Sequence, residues 1–220
     1  MTWAADGFGG VGKAARVRPP AVGAPDFKRM LGADAWARLP AAVRRRFGAH
    51  AAAQEIVYRG RMRVEATLAG RLFAQICRLI GTPLAPWTGD DVPVDVDVHQ
   101  DRRGGLTWAR TYHFAGRRPI LVSSTKLMDA RGDLLEVVRG GLGMALDVIE
   151  ADGALHFHSR FYFIEAMGLR LRIPDLATPG RAHVVHEDLG GGAFRFTLAF
   201  NHPWLGRTLH QDGVFHDPEA

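Results

Sequence analysis

From about residue 55 onward, hydrophobic and polar residues alternate along most of the chain with a period of two. In "QEIVYRGRMRVEA", Ile56, Tyr58, Met62 and Val64 share one side and Arg59, Arg61 and Arg63 the other. That is the pattern of a strand with one buried face. Strand-like runs recur in "VPVDVDVHQ", "LTWARTYHF", "PILVSSTKL", "LLEVVRG", "LGMALDVIEA", "ALHFHSRFYFIEA", "LRLRIP", "RAHVVHED" and "AFRFTLAFN". Short links rich in Gly and Asp, such as "DRRGG", "ADG" and "LGGG", join them. Links of that length connect antiparallel neighbours, because parallel strands need crossover helices for which there is no room. A single sheet of about nine strands exposes a long edge unless it curls or closes. The expected fold is therefore α+β: a strongly curved antiparallel sheet or barrel of about nine strands.

Two segments break the period. "PDFKRMLGADAWARLPAAVRRRFG" sets Phe27, Met30, Leu31, Trp36, Leu39, Val43 and Phe47 on an apolar stripe, with Asp26 and Asp34 as candidate caps and Pro40 in a first turn. These short helices are expected to cover one side or one mouth of the sheet. A second helix is expected over about 69–80, ended by "GTPLAPW", and it carries Cys77 as a small buried hydrophobe. Residues 1–25 are rich in Gly, Ala and Pro and read as an arm ahead of a single domain over 26–220. "GFGGVGKA" in that arm has phosphate-loop glycines, but no buried strand precedes it and "RPP" stops any helix after it.

Composition narrows the classes. At 220 residues and 47% hydrophobic, the chain has material for one core. It has no apolar run long enough to span a membrane and no signal-peptide order at its start, so the expected location is cytoplasmic. One cysteine excludes an internal disulfide or a thiolate zinc cluster. The net charge of +5 comes from arginines scattered along the strands, with lysine only at 13, 28 and 126. No helix-turn-helix or RNP-like strand accompanies them, so nucleic acid is not an expected partner.

Candidate chemistry lies on strand faces. Trp108, Arg110 and Tyr112 share a face with Leu106 and Phe114, which puts an arginine among aromatics and calls for a partner. Glu136, the lone carboxylate of "LLEVV", is that candidate. In "ALHFHSRFYFIEA", strict alternation puts His156, His158, Arg160 and Tyr162 opposite Leu155, Phe157, Phe161 and Phe163. An H-x-H pair on one strand face is able to share a metal, but Glu165 is wrongly spaced for the ligand set of cupin barrels, and no metal is assigned. "PVDVDVHQ" alternates valines with Asp95, Asp97 and His99, a wet strand side. "FNHPWLGRTLHQDGVFH" places His202 at a strand end in a turn, and its last strand sets Gln211 beside Leu209.

Many ordered blocks resemble one bacterial family. They include "FKRMLG", "YRGRM", "VPVDVDV", "TWARTYHF", "GALHFHSRFYF", "VVHEDLG" and "HPWLGRTLHQDGVF". The series is similar to the domain of unknown function 4166 over roughly residues 26–217. That resemblance implies a stand-alone protein or a domain fused behind short-chain or saccharopine-dehydrogenase-like oxidoreductases; the stand-alone form, without a dinucleotide-binding domain ahead of it, is the one expected here. A separate oxidoreductase is the implied partner, and no catalytic residues carry over.

The expected function is a binding module that holds a small apolar or amphipathic molecule on the concave face without a cofactor. Trp108, Arg110, Tyr112, Glu136, His156, His158, Tyr162, His202 and Gln211 are the candidate ligand contacts. The alternative is a cofactor-free isomerase, cyclase or hydrolase working with a His and a carboxylate in that cavity, and the third reading is a structural or interaction domain.

Overall fold

The computed structural model describes residues 23–48, 55–79, 84–102, 104–167 and 169–218. The expected arm lies outside the described residues up to position 22, and so does its glycine-rich motif. Three short helices come first, α1 (Phe27–Leu31), α2 (Ala33–Arg38) and α3 (Ala41–Phe47), followed by β1 (Ile56–Ala66) and α4 (Leu68–Leu79). Ten strands then follow in sequence: β2 (Gly89–Gln100), β3 (Leu106–Tyr112), β4 (Ile120–Met128), β5 (Leu134–Val138), β6 (Leu142–Ala151), β7 (Ala154–Ala166), β8 (Leu169–Ile173), β9 (Arg181–Gly190), β10 (Ala193–His202) and β11 (Gly206–His216).

The sheet closes. Strands run in the order β6-β5-β4-β3-β2-β1-β11-β10-β9-β7-β8, every pairing is antiparallel, and β6 also pairs with β7. Ten strands thus form a barrel and β8 is an eleventh lying outside the ring. Closure leaves none of the ten as a free edge, which is what the long run of hairpins demanded. β7 makes closure possible by dividing its length. Leu155 to His158 pair with β9, whereas Tyr162 to Ala166 pair with β8.

Inside, the alternating residues meet. Val92, Val94, Val96 and Val98 of β2 pack with Tyr58, Met62, Tyr112, Phe194 and Phe215. At one mouth, α1 and α3 drive Phe27, Val43 and Phe47 against Leu134, Leu146, Leu155 and Phe157. Phe27 meets Phe47 and Phe157 edge-on at 5.4 and 5.8 Å. Arg46 fastens this plug through Asp217 at 2.7 and 2.8 Å and Asp188 at 3.0 Å. The N-terminal helices therefore fill a mouth, one of the two expected positions. At the opposite mouth α4 buries Ala74 and Cys77. Gly70 sits where a Cβ would lie 2.0 Å from the Thr208 carbonyl oxygen, so only glycine lets α4 approach β11 this closely. No helix among the described residues is long and apolar enough to cross a membrane.

One expectation about side-chain direction is corrected. Ala145 pairs with Phe161 but Leu146 with Ser159, so Arg160 is an extra residue that makes a bulge in β7. The bulge reverses the alternation. Leu155 and Phe157 before it and Tyr162 after it all face the interior, while His156 and His158 face outward. Phe161 and Phe163 turn outward into a separate cluster with Leu127, Leu135 and Ala145. The guanidinium groups of Arg170 and Arg172 lie over these rings at 4.6 and 5.1 Å.

Phe157 joins the plug to the barrel wall, so Phe157→Ala is expected to lower unfolding free energy by about 3–5 kcal/mol, read from denaturant titration.

Candidate functional site

Between the plug and α4 lies a cavity of about 210 Å³, lined mostly by apolar side chains that include Phe73, Val122, Met144, Leu198 and Phe200. A smaller hollow of about 50 Å³ continues toward the plug, and Arg110, Lys126, Val184 and Phe196 line both.

The polar groups between the two hollows form one cluster. Lys126 Nζ lies 3.1 Å from Glu136 Oε2, and both side chains are buried. Ser124 Oγ donates to Glu136 Oε1 at 2.5 Å. Arg110 Nη1 reaches Ser124 Oγ at 3.5 Å, a long hydrogen bond, and its guanidinium lies 5.3 Å from the Phe196 ring. Lys126 also sits over Trp108 at 4.4 Å. Register explains the pairing. Lys126 is directly opposite Glu136 in β4–β5, whereas Arg110 is opposite Val122 in β3–β4. The expected Arg110–Glu136 ion pair is therefore replaced by Lys126–Glu136, with Arg110 acting on Glu136 through Ser124 and by charge alone.

Burial dominates the electrostatics. It pulls the Lys126 ammonium below the ordinary lysine range; Glu136 opposes that pull and Arg110 reinforces it. Burial also pushes the Glu136 carboxyl up, but Lys126, Arg110 and Ser124 outweigh it and hold the group ionised, below its usual range. Two cations thus face one carboxylate. Among the described residues Arg110 has no carboxylate within 4 Å.

The other predicted residues divide by location. Tyr112 donates to Gln211 Oε1 at 2.9 Å inside the barrel, and burial raises its phenol so that it remains a neutral donor. Tyr162 donates to the Gly180 carbonyl at 2.8 Å. Both tyrosines and Gln211 line the large cavity. Trp108 lines the small one. His202 holds the β10–β11 turn, with Nδ1 accepting from the amides of Trp204 and Leu205 and Nε2 donating to the Leu176 carbonyl. His156 and His158 are on the outer face, away from either hollow. Asp95 and Asp97 are also outside, bonded to His113 and His99. The structure therefore brings together Trp108, Arg110, Tyr112, Glu136, Tyr162 and Gln211.

Sequence reasoning missed Lys126, Ser124 and His186. "PILVSSTKL" mixes polar and apolar residues on both faces, so period two gives no inward side; the available signal was a lone lysine among arginine-rich strands. His186 lies in the small hollow between Phe47 and Phe194, at 4.8 and 4.4 Å. Its Nε2 has no hydrogen-bond partner among the described residues, and burial, reinforced by the charge of Arg46, pushes its pKa down to about 3.

A family model described as "Domain of unknown function (DUF4166)" matches residues 39–215. The chain belongs to this family. No curated protein and no solved structure matches it significantly. In this DUF4166 chain, the matched span runs from Leu39 of the plug through β11, and it contains every residue of the buried cluster.

Removing Glu136 leaves buried Lys126 and half-buried Arg110 facing no carboxylate among the described residues. Glu136→Ala is expected to cost about 3–5 kcal/mol of stability by chemical unfolding, while Lys126→Met combined with Glu136→Leu recovers most of the loss. His186 gives a second expectation. The folded protein keeps it neutral down to about pH 3, whereas the unfolded chain protonates it near 6.5. Its contribution is complete above that upper value and is lost as pH falls toward the lower one, at up to ~1.4 kcal/mol per pH unit. His186→Leu should flatten that limb in pH-dependent unfolding.

Proposed function

We propose that the barrel is a binding module for a small amphipathic molecule whose anionic end, such as a carboxylate, docks on Arg110 beside Lys126. The observation that carries this reading is the uncompensated positive charge inside an apolar cavity. Arg110 presents five donors in a rigid fork and uses one of them in a long contact. A planar oxyanion matches that fork and balances the second cation, while Phe196, Leu198, Phe200 and Met144 supply an apolar wall for the rest of the molecule.

A second reading, chemistry on the bound molecule, has one observation in its favour: Lys126 and Glu136 are a titratable pair within hydrogen-bond reach in a mostly apolar pocket. The acid and base would then be an amine and a carboxylate, since among the described residues no histidine bonded to a carboxylate lines the cavity. A partner oxidoreductase handling the same molecule is what the family resemblance suggests.

Native mass spectrometry of protein purified without added ligand, together with titration by a fluorescent medium-chain carboxylate, tests the proposal. Arg110→Met should weaken carboxylate binding about 10- to 100-fold, the loss of one charge-assisted interaction. Equal binding by wild type and variant rejects the docking role of Arg110. Release of the molecule with altered mass favours the enzyme reading over carriage.

A further inference from the structure

The geometry points to a divalent transition-metal site on the outer face of the barrel, formed by His156 and His158 of β7 and His183 of β9. It is independent of the cavity and of the proposed ligand.

The three side chains meet because β7 and β9 pair. His158 is directly opposite His183 in the antiparallel register, and His156 lies two residues along on the same face. One ring nitrogen from each falls within 4.8 Å of the other two. His156 Nδ1 is 3.1 Å from His183 Nε2. Two ligands of a tetrahedral ion with bonds of about 2.0–2.1 Å are separated by about 3.3 Å, so this pair already stands at chelating distance. The rings of His158 and His183 are 4.2 Å apart, and a side-chain rotation brings the third nitrogen in.

The hydrogen bonds also suit ligation. His156 Nε2 can only donate to the Ala151 carbonyl at 3.3 Å, which leaves Nδ1 with a free lone pair. A backbone carbonyl orienting the distal N–H is the usual support of a metal-ligating imidazole. In the empty cluster His183 Nε2 donates to His156 Nδ1. An ion takes the place of that proton, which moves to His183 Nδ1.

The surroundings set this trio apart. Three other outer-face histidines have carboxylate partners: His99 with Asp97, His113 with Asp95 and His210 with Glu65. No carboxylate lies within 4 Å of His156, His158 or His183 among the described residues. Asp147, opposite His158 in β6 and 3.3 Å from Arg160 Nε, and Glu150, which interacts with the charge of His156, are carboxylates that face the cluster from β6. Three imidazoles without oxygen ligands select zinc-class ions over magnesium or calcium and leave a fourth position for water. Such an ion would clamp the four-residue β7–β9 pairing that closes the ring.

The test uses the full chain stripped with chelator and titrated with Zn²⁺ by calorimetry and with Co²⁺ by visible absorption. One ion per chain is expected, with the intense d–d bands of tetrahedral cobalt and a rise in melting temperature. His158→Gln and His183→Gln should each weaken binding roughly 100-fold and abolish the thermal shift, whereas His99→Gln behaves as wild type. Folding of each variant is checked by its melting curve without metal. Weak octahedral cobalt spectra from the wild type, or wild-type titration of His183→Gln, would overturn the site and leave the cluster as stacked rings.

Discussion

Everything inside this protein depends on β7 belonging to two places at once. A ring of ten strands must join its last member to its first, and β7 does so by pairing with β6 along most of its length and with β9 over Leu155–His158. Beyond that short stretch β9 diverges and β8 takes its place. The bulge at Arg160 comes between these two regimes. It shifts the alternation by one residue, so that Phe157 supports the plug and Tyr162 the cavity although they are five positions apart. With unbroken alternation, Tyr162 would point to solvent and Phe163 into the hollow. The cavity wall is thus a product of register as much as of composition.

The buried charges follow from the same register. Lysine and glutamate in the interior of a small barrel have a large desolvation penalty, tolerated when partner and geometry are good. Lys126 and Glu136 meet this condition because they are direct cross-strand neighbours, supplemented by Ser124 and by the Trp108 ring. Arg110 does not meet it. Its contacts are one long hydrogen bond and one aromatic face, although a guanidinium is the side chain best suited to bidentate pairing. A packed core of this kind gains nothing from such an arrangement, and that is why the function is sought at Arg110 rather than at the better-satisfied ion pair. The histidine at the other end shows the contrast: Arg46 is saturated by Asp188 and Asp217, and burial, reinforced by that positive charge, keeps the adjacent His186 neutral.

The sequence showed the closed or curved sheet because alternation and short links are local signals, and β2 with its four valines carries them plainly. It also placed Trp108, Arg110 and Tyr112 on the inward face, since β3 is regular. What it could not show was which strands adjoin. Glu136 was identified as an inward carboxylate, but its partner depends on β4–β5 register, and the inward face of β4 is disguised by Ser123, Ser124 and Thr125 in succession. The bulge at Arg160 was invisible for a related reason: an extra residue leaves the composition of "HSRFYF" unchanged while reversing its faces. His183 could not be joined to His156 and His158 because β8 intervenes in the chain between β7 and β9.

The two mouths differ in how firmly they are shut, and this bears on the carrier reading. At the plug, three aromatic rings interlock and Arg46 spans two carboxylates, so opening it breaks the main core and an ionic network together. At the other end α4 buries Ala74, Cys77 and part of Phe73, leaves Leu68 and Leu72 on the solvent side, and sets a part-exposed Ile76 at the cavity's edge. Its attachment to β11 runs through the Thr67 amide on the Thr208 carbonyl and the close approach at Gly70. Displacing α4 therefore sacrifices far less buried apolar area than displacing the plug, and the free energy of burial scales with that area. α4 lines the large cavity, and Arg110 sits where that cavity meets the small hollow. A molecule entering past α4 would present its polar end inward and leave its apolar part under the helix, the orientation that the charge distribution of the cavity requires.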